Sequence, residues 1–163
     1  MPMDPQTCRA KIARLIQEET AALGELAVLL EREFTHLKDG DVEALGAAMR
    51  ERQQCVLRIL KVDDERRELC RTLGRPFDLK GLEALITWCD PQGTLVSAWQ
   101  GCTSAATKCR GLNDRNSAMA GARLQNVQAR LGLLMEGRRE TVTYGPRGTC
   151  SVAAERHGLL REV

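Results

Sequence analysis

The sequence predicts an all-α protein: a long antiparallel helical hairpin, then a short helix and a long C-terminal helix, packed as a bundle or coiled-coil-like, with a flexible C-terminal tail. Three observations predict it. Leu, Ile, Val and Met recur at spacings of three, four and seven along most of the 163 residues, the periodicity of helices with one apolar stripe. Asp-Pro, Gly-Asp and Gly-Arg-Pro breaks separate these stretches. Only 3% of residues are aromatic, so the core must be aliphatic, which favours helix-on-helix packing over a sheet sandwich.

The first helix opens at Asp4-Pro5, where a carboxylate caps exposed N–H groups and the proline ring pre-sets a helical dihedral. Ile12, Ile16, Leu23, Leu26, Leu30, Phe34 and Leu37 carry its stripe until Gly40, a left-handed C-terminal stop. Glu19 and Glu33 interrupt it, falling where a seam should be apolar. Asp41 caps a second helix with Val42, Leu45, Met49, Val56, Ile59, Leu60, Leu69 and Leu73 on its stripe, broken by Gly74, Arg75 and Pro76. The short connection forces the two helices antiparallel, in a hairpin on the order of 45–50 Å long.

Asp78 opens a short third helix containing Leu82, Leu85, Ile86 and Trp88, and Asp90-Pro91 both stops it and reads as the start of the last helix. From about 91 to 136 no proline intervenes, so this helix can approach roughly 70 Å. Gly101, Gly111, Gly121 and Gly132 each cost about 1 kcal/mol relative to Ala in a helix interior, which makes it less stable than the hairpin. Periodicity ends at Gly137. The expected organisation is one helical domain over 1–137 and a flexible tail over 138–163, turn-rich from Thr141 to Gly148.

The formal charge of +2 is unevenly spread. Residues 108–139 hold seven basic and two acidic side chains; no aromatic residues interleave with them, so the stacking platform of a single-strand nucleic-acid binder is missing, and no nucleic-acid partner is expected. Seven cysteines are an odd count and a poor disulfide framework, as expected of reduced thiols in a cytoplasmic protein. Cys102 and Cys109, seven apart, repeat one helix face, too far apart along it for a shared ion, so no metal or other cofactor is expected. No apolar run approaches the roughly 18 residues of a membrane span.

Nothing in the sequence anchors an enzyme. His36 and His157 are read as surface residues without a fixed partner, and the alternating charges from Asp63 to Glu68 as a solvated helix face with i,i+3 and i,i+4 pairs. In the last helix, Leu112, Met119, Leu124, Val127, Leu131 and Leu134 exceed what one hairpin obviously buries. They serve either as internal core or as a strip to which an amphipathic helix of another protein adds. Asn113 and Asn116, three apart, present amides to a partner backbone or to a neighbouring helix.

The order of Leu112-Asn113-Asp-Arg-Asn116 within a long helix, the apolar strip that follows, and Thr143-Tyr144-Gly145-Pro146-Arg147-Gly148 resembles the FlgN family of flagellar export chaperones. Upstream, the Gly-Asp break at 40–41, Arg66 and Arg67 in a charged second helix, and Leu73-Gly74 arrive in the same sequence. The resemblance implies a non-enzymatic, cytoplasmic chaperone of hook-associated (hook-filament junction) subunits, which keeps their C-terminal helical segments from premature assembly. It implies client binding by Leu112, Asn113, Asn116, Met119, Leu124, Val127, Leu131 and Leu134. Docking to the export-gate protein FlhA would fall to Tyr144, Gly145, Pro146 and Gly148. The competing reading is a structural helical adaptor or dimerisation module, whose long stripes would meet those of a second copy.

Overall fold

The computed structural model describes residues 3–139, 142–144 and 150–152, with side chains described as far as residue 136. Four helices follow in order: α1 Pro5–Asp39, α2 Val42–Thr72, α3 Leu79–Cys89 and α4 Val96–Arg139, then two short paired strands, β1 Val142–Tyr144 and β2 Cys150–Val152. The fold is all-α, as the periodicity requires. The strands pair antiparallel with Val142 opposite Val152 and Tyr144 opposite Cys150, a ribbon lying within the stretch read as a turn-rich tail. The chain divides into two compact units, Met1–Met119 and Ala120–Val163.

The helix ends follow the capping residues. Asp4 accepts the Thr7 N–H at 3.0 Å, with Pro5 in the first turn, and Asp41 accepts the Ala44 N–H at 2.9 Å. Between them Gly40 sits at φ 75°, its N–H and that of Asp41 both bonded to the His36 carbonyl. A left-handed residue here lets the chain reverse at once, and only glycine adopts it without strain. Asp78 caps α3 through the Gly81 N–H at 2.6 Å. Gly81 cannot be larger: a Cβ there would lie 2.1 Å from the Pro76 carbonyl oxygen.

α4 begins five residues later than the Asp90-Pro91 signal suggests. The Asp90 carboxylate spans the corner instead, accepting the Leu95 N–H at 2.6 Å and the Thr94 hydroxyl at 2.8 Å, while its carbonyl takes the Gly93 N–H. Gly93 stands at φ 70°, which no helix passing through it tolerates. Arg9 of α1 reaches this corner from outside, bonding Thr94 at 2.8 Å and pairing with Asp90 at 3.4 Å.

α1 is the central element of the first unit. It buries three rows of seven-residue spacing: Cys8, Leu15, Ala22 and Leu29; Ile12, Glu19 and Glu33; Ile16, Leu23 and Leu30. So broad a buried face is needed because α2 and α4 both pack on it. Against α1, α2 turns Ala48, Cys55, Val62 and Leu69, also seven apart. This corrects the stripe expected for α2: Met49 and Leu60 are exposed and Val56 is half-buried. Ala48 and Cys55, small and weakly hydrophobic, mark the true seam one residue earlier. Likewise Trp88 of α3 points largely outward, while Leu82, Leu85, Ile86 and Cys89 enter the core.

Cross-helix ion pairs fix the antiparallel register of α1 and α2: Arg66 with Glu19, Arg58 with Glu25, Arg52 with Glu33 and Arg32 with Glu51. The first departs from the solvated face expected of residues 63–68. Arg66 is only 6% exposed and binds Glu19 through two nitrogens, at 2.7 and 3.0 Å, with Asp63 one turn away at 2.5 Å and the Trp99 ring 5.9 Å from its guanidinium carbon. Arg67 beside it is exposed, pairs with Asp64 at 3.5 Å and lies over the Phe77 ring, 5.0 Å from its centroid. A run of alternating charges wraps around a helix, so part of it must face inward wherever a second helix covers that side.

Removing one member of a buried ion pair strands the other in the interior. Arg66→Ala is therefore expected to lower unfolding stability by about 3–5 kcal/mol in urea titration, and Arg67→Ala, which loses an exposed pair and a cation–π contact with Phe77, by about 1 kcal/mol or less.

Candidate functional site

The first half of α4, with Leu95 just before it, docks on α1 along a row of seven-residue spacing: Leu95, Cys102, Cys109 and Asn116, all buried. Three of the four are held by polar contacts. The Cys102 thiol lies 3.1 Å from the Glu19 carboxylate, the Cys109 thiol donates to the Leu23 carbonyl at 3.2 Å, and the Asn116 amide donates to the Leu30 carbonyl at 2.8 Å. Partners advance together along both chains, so this part of α4 runs parallel to α1. Trp99, Ala105 and Leu112 flank the row and pack on the core.

The row ends in a polar cluster. Glu33, buried on α1, receives Arg52 at 3.1 Å and the Asn116 amide at 3.5 Å. Arg115 pairs with Glu31 at 2.9 Å and lies over the Phe34 ring, 3.8 Å from its centroid, a distance at which the ring face attracts the cation. Among the described residues, Glu33 Oε1, Arg66 Nε and Arg115 Nε are buried without a hydrogen-bond partner.

Beyond Met119 the pattern changes. The next position of the row is Arg123, and the apolar stripe resumes one residue later with Leu124, Val127, Leu131 and Leu134, at spacings of three, four and three on one helix face. All four lie in the second unit and are more than half exposed, as are Leu133 and Met135.

The eight residues expected to form one client strip are thus divided. Leu112 packs on the core, Asn113 and Met119 are half-buried, and Asn116 spends its amide on Leu30. Of the two partners open to Asn116 in the sequence, the neighbouring helix holds it. Leu124, Val127, Leu131 and Leu134 form an exposed face about 15 Å long. Met135 extends that face, and its spacing of four from Leu131 was the available signal. Tyr144 ends β1 opposite Cys150; Gly145, Pro146 and Gly148 lie outside the described residues.

Among the described residues no group of three His, Cys, Asp or Glu side chains is arranged to hold a metal ion, and no helix is long and apolar enough to cross a membrane. Five of the buried thiols are unsuited to nucleophilic work. Burial, followed by the neighbouring Cys89, pushes Cys8 from an ordinary 9.0 up to about 12; burial, followed by the Glu19 carboxylate, pushes Cys102 up to about 11. Burial also raises Cys70, Cys89 and Cys109.

An all-α fold with a heptad-spaced internal seam and an exposed apolar helix face defines a long-helix protein of the bundle type. The chain belongs to the FlgN family, whose model, described as FlgN protein, matches residues 3–151. This is a family of flagellar export chaperones rather than of enzymes, and its members bind flagellar proteins. No curated protein and no solved structure gives a significant match.

The buried thiols make alkaline pH destabilising. Unfolded cysteines ionise near 9, whereas folded Cys8 stays protonated to about 12, so across that interval the unfolded state binds fewer protons and stability falls as pH rises. Urea midpoints measured between pH 8 and pH 11 should decline, and Cys8→Ala should flatten the decline even though it lowers stability at pH 8.

Proposed function

We propose that this chain is a cytoplasmic chaperone for hook-associated junction subunits, covering their C-terminal helical segments and delivering them to the type III export gate. The observation that carries this reading is the exposed stripe of Leu124, Val127, Leu131 and Leu134, which in a member of this family is the face left for a client helix. A disordered client segment that folds as an amphipathic helix would lay its own apolar stripe along it, in the coiled-coil-like manner expected of heptad spacing.

The magnitudes favour a releasable complex. Each of the four side chains still exposes roughly half its surface, so covering them contributes on the order of 1 kcal/mol apiece, about 4 kcal/mol together. Association alone costs an estimated 4–15 kcal/mol. The stripe therefore cannot bind a client tightly by itself; further contacts, Met135 first among them, must add to it. An affinity near micromolar, about −8 kcal/mol, suits a chaperone that has to let go at the gate.

Tyr144 with Gly145, Pro146 and Gly148 is the segment proposed to dock to FlhA. A tyrosine beside glycine and proline offers an apolar ring and a polar tip suited to anchoring in a partner's pocket.

Calorimetric titration with a purified junction subunit, intact and lacking its C-terminal helix, tests the reading. Binding should disappear on truncation and carry a negative heat-capacity change. Leu131→Glu should weaken it at least about tenfold, about 1.4 kcal/mol, with the melting temperature unchanged because Leu131 is already exposed. Tyr144→Ala should abolish binding to the FlhA cytoplasmic domain and leave client binding intact. A stable self-associated species with no affinity for any junction subunit would favour the adaptor reading instead.

A further inference from the structure

The seam of α2 against α1 leaves a second stripe that starts about 100° around α2. Met49, Val56, Leu57 and Leu60 line a shallow depression of about 370 Å³ there, and Met49, Leu57 and Leu60 each expose 52% of their surface. No described element covers them. Met49 and Val56 are seven apart, Val56 and Leu60 four, so the stripe has the spacing that receives a partner helix. It runs about 17 Å, or three turns.

The charges lining the depression have one sign. Arg50 and Arg52 are the ionised residues lining the depression, and no carboxylate does so. Arg52 is held by Glu33 at 3.1 Å, while Arg50 makes no ion pair among the described residues. A second copy of this chain would bring a second uncompensated Arg50 to the seam, and like charges across an interface oppose pairing. An acidic partner meets no such repulsion. We propose that the outer face of α2 is a docking site for an acidic amphipathic helix, about three turns long, of a partner protein. The site belongs to the first unit and is separate from the client stripe of distal α4.

The proposal is tested with two fluorescein-labelled helical peptides of about three heptads, both with Leu at a and d, one with Glu and the other with Lys at e and g. Each is titrated by fluorescence anisotropy into the full chain carrying Leu131→Glu, so that distal α4 does not contribute. The Glu peptide should bind at least about tenfold more tightly than the Lys peptide at low salt, with the difference shrinking as salt is added. Adding Leu60→Glu should abolish binding, and Arg50→Glu should reduce it about tenfold with helicity unchanged. If Leu60→Glu disturbs the circular dichroism spectrum, the milder Leu60→Ser should still weaken binding. Equal binding of both peptides, no binding of either, or indifference to the residue 60 variants would overturn the proposal. So would a dimer in sedimentation that Leu60→Glu dissociates, since the occupant would then be a second copy.

Discussion

The contact on which the rest of the structure depends is the seven-residue row of α4 laid along α1. Cys102, Cys109 and Asn116 are small or slender, so the helices approach closely, and the thiols and amide find partners in Glu19, the Leu23 carbonyl and the Leu30 carbonyl. Glu19 is itself held by Arg66 of α2. One carboxylate therefore ties three helices together, and the two glutamates that interrupt the apolar seam of α1 are the anchor points of its neighbours. A buried ionic group of this kind is a modest source of stability. Its use here is registry: an α4 shifted by one residue would leave Glu19 and Glu33 without their α4 partners.

The same row accounts for where the exposed stripe begins. It ends at Asn116, Arg123 takes the following position, and the stripe of Leu124, Val127, Leu131 and Leu134 resumes one residue out of step. One-residue displacement rotates a stripe by about 100° around a helix, so the side chains that continue the pattern in sequence do not continue it on the same face. The four interior glycines, with nothing within 4 Å of where a Cβ would stand, are demanded by no packing contact. They lower the intrinsic stability of α4.

Much of the fold was legible in the sequence because its signals are local. Asp4, Asp41 and Asp78 announce three helices, Gly40 ends one, and each contact they make spans only a few residues. Legibility failed where two helix faces carried similar residues. On α2 the eye follows Met49, Val56 and Leu60, yet the buried row is Ala48, Cys55 and Val62, whose small size signals close packing rather than hydrophobicity. Asp90-Pro91 failed for a related reason: the carboxylate that reads as a cap holds a turn across Gly93 instead. The burial of Arg66 was hidden because charge patterning does not reveal which face a distant helix will cover. Of the candidate site, the spacing of the distal leucines was readable from period, but whether they were core or exposed was not, and the assignment of Asn116 to α1 required knowing that α1 lies beside it.

The most direct test of the account is hydrogen–deuterium exchange of the full chain, free and saturated with a junction subunit. The account predicts slow exchange at 102–116 in both states, and protection that appears over 120–136 only when the subunit is bound. Unchanged exchange over 120–136, with new protection confined to 102–116, would contradict it.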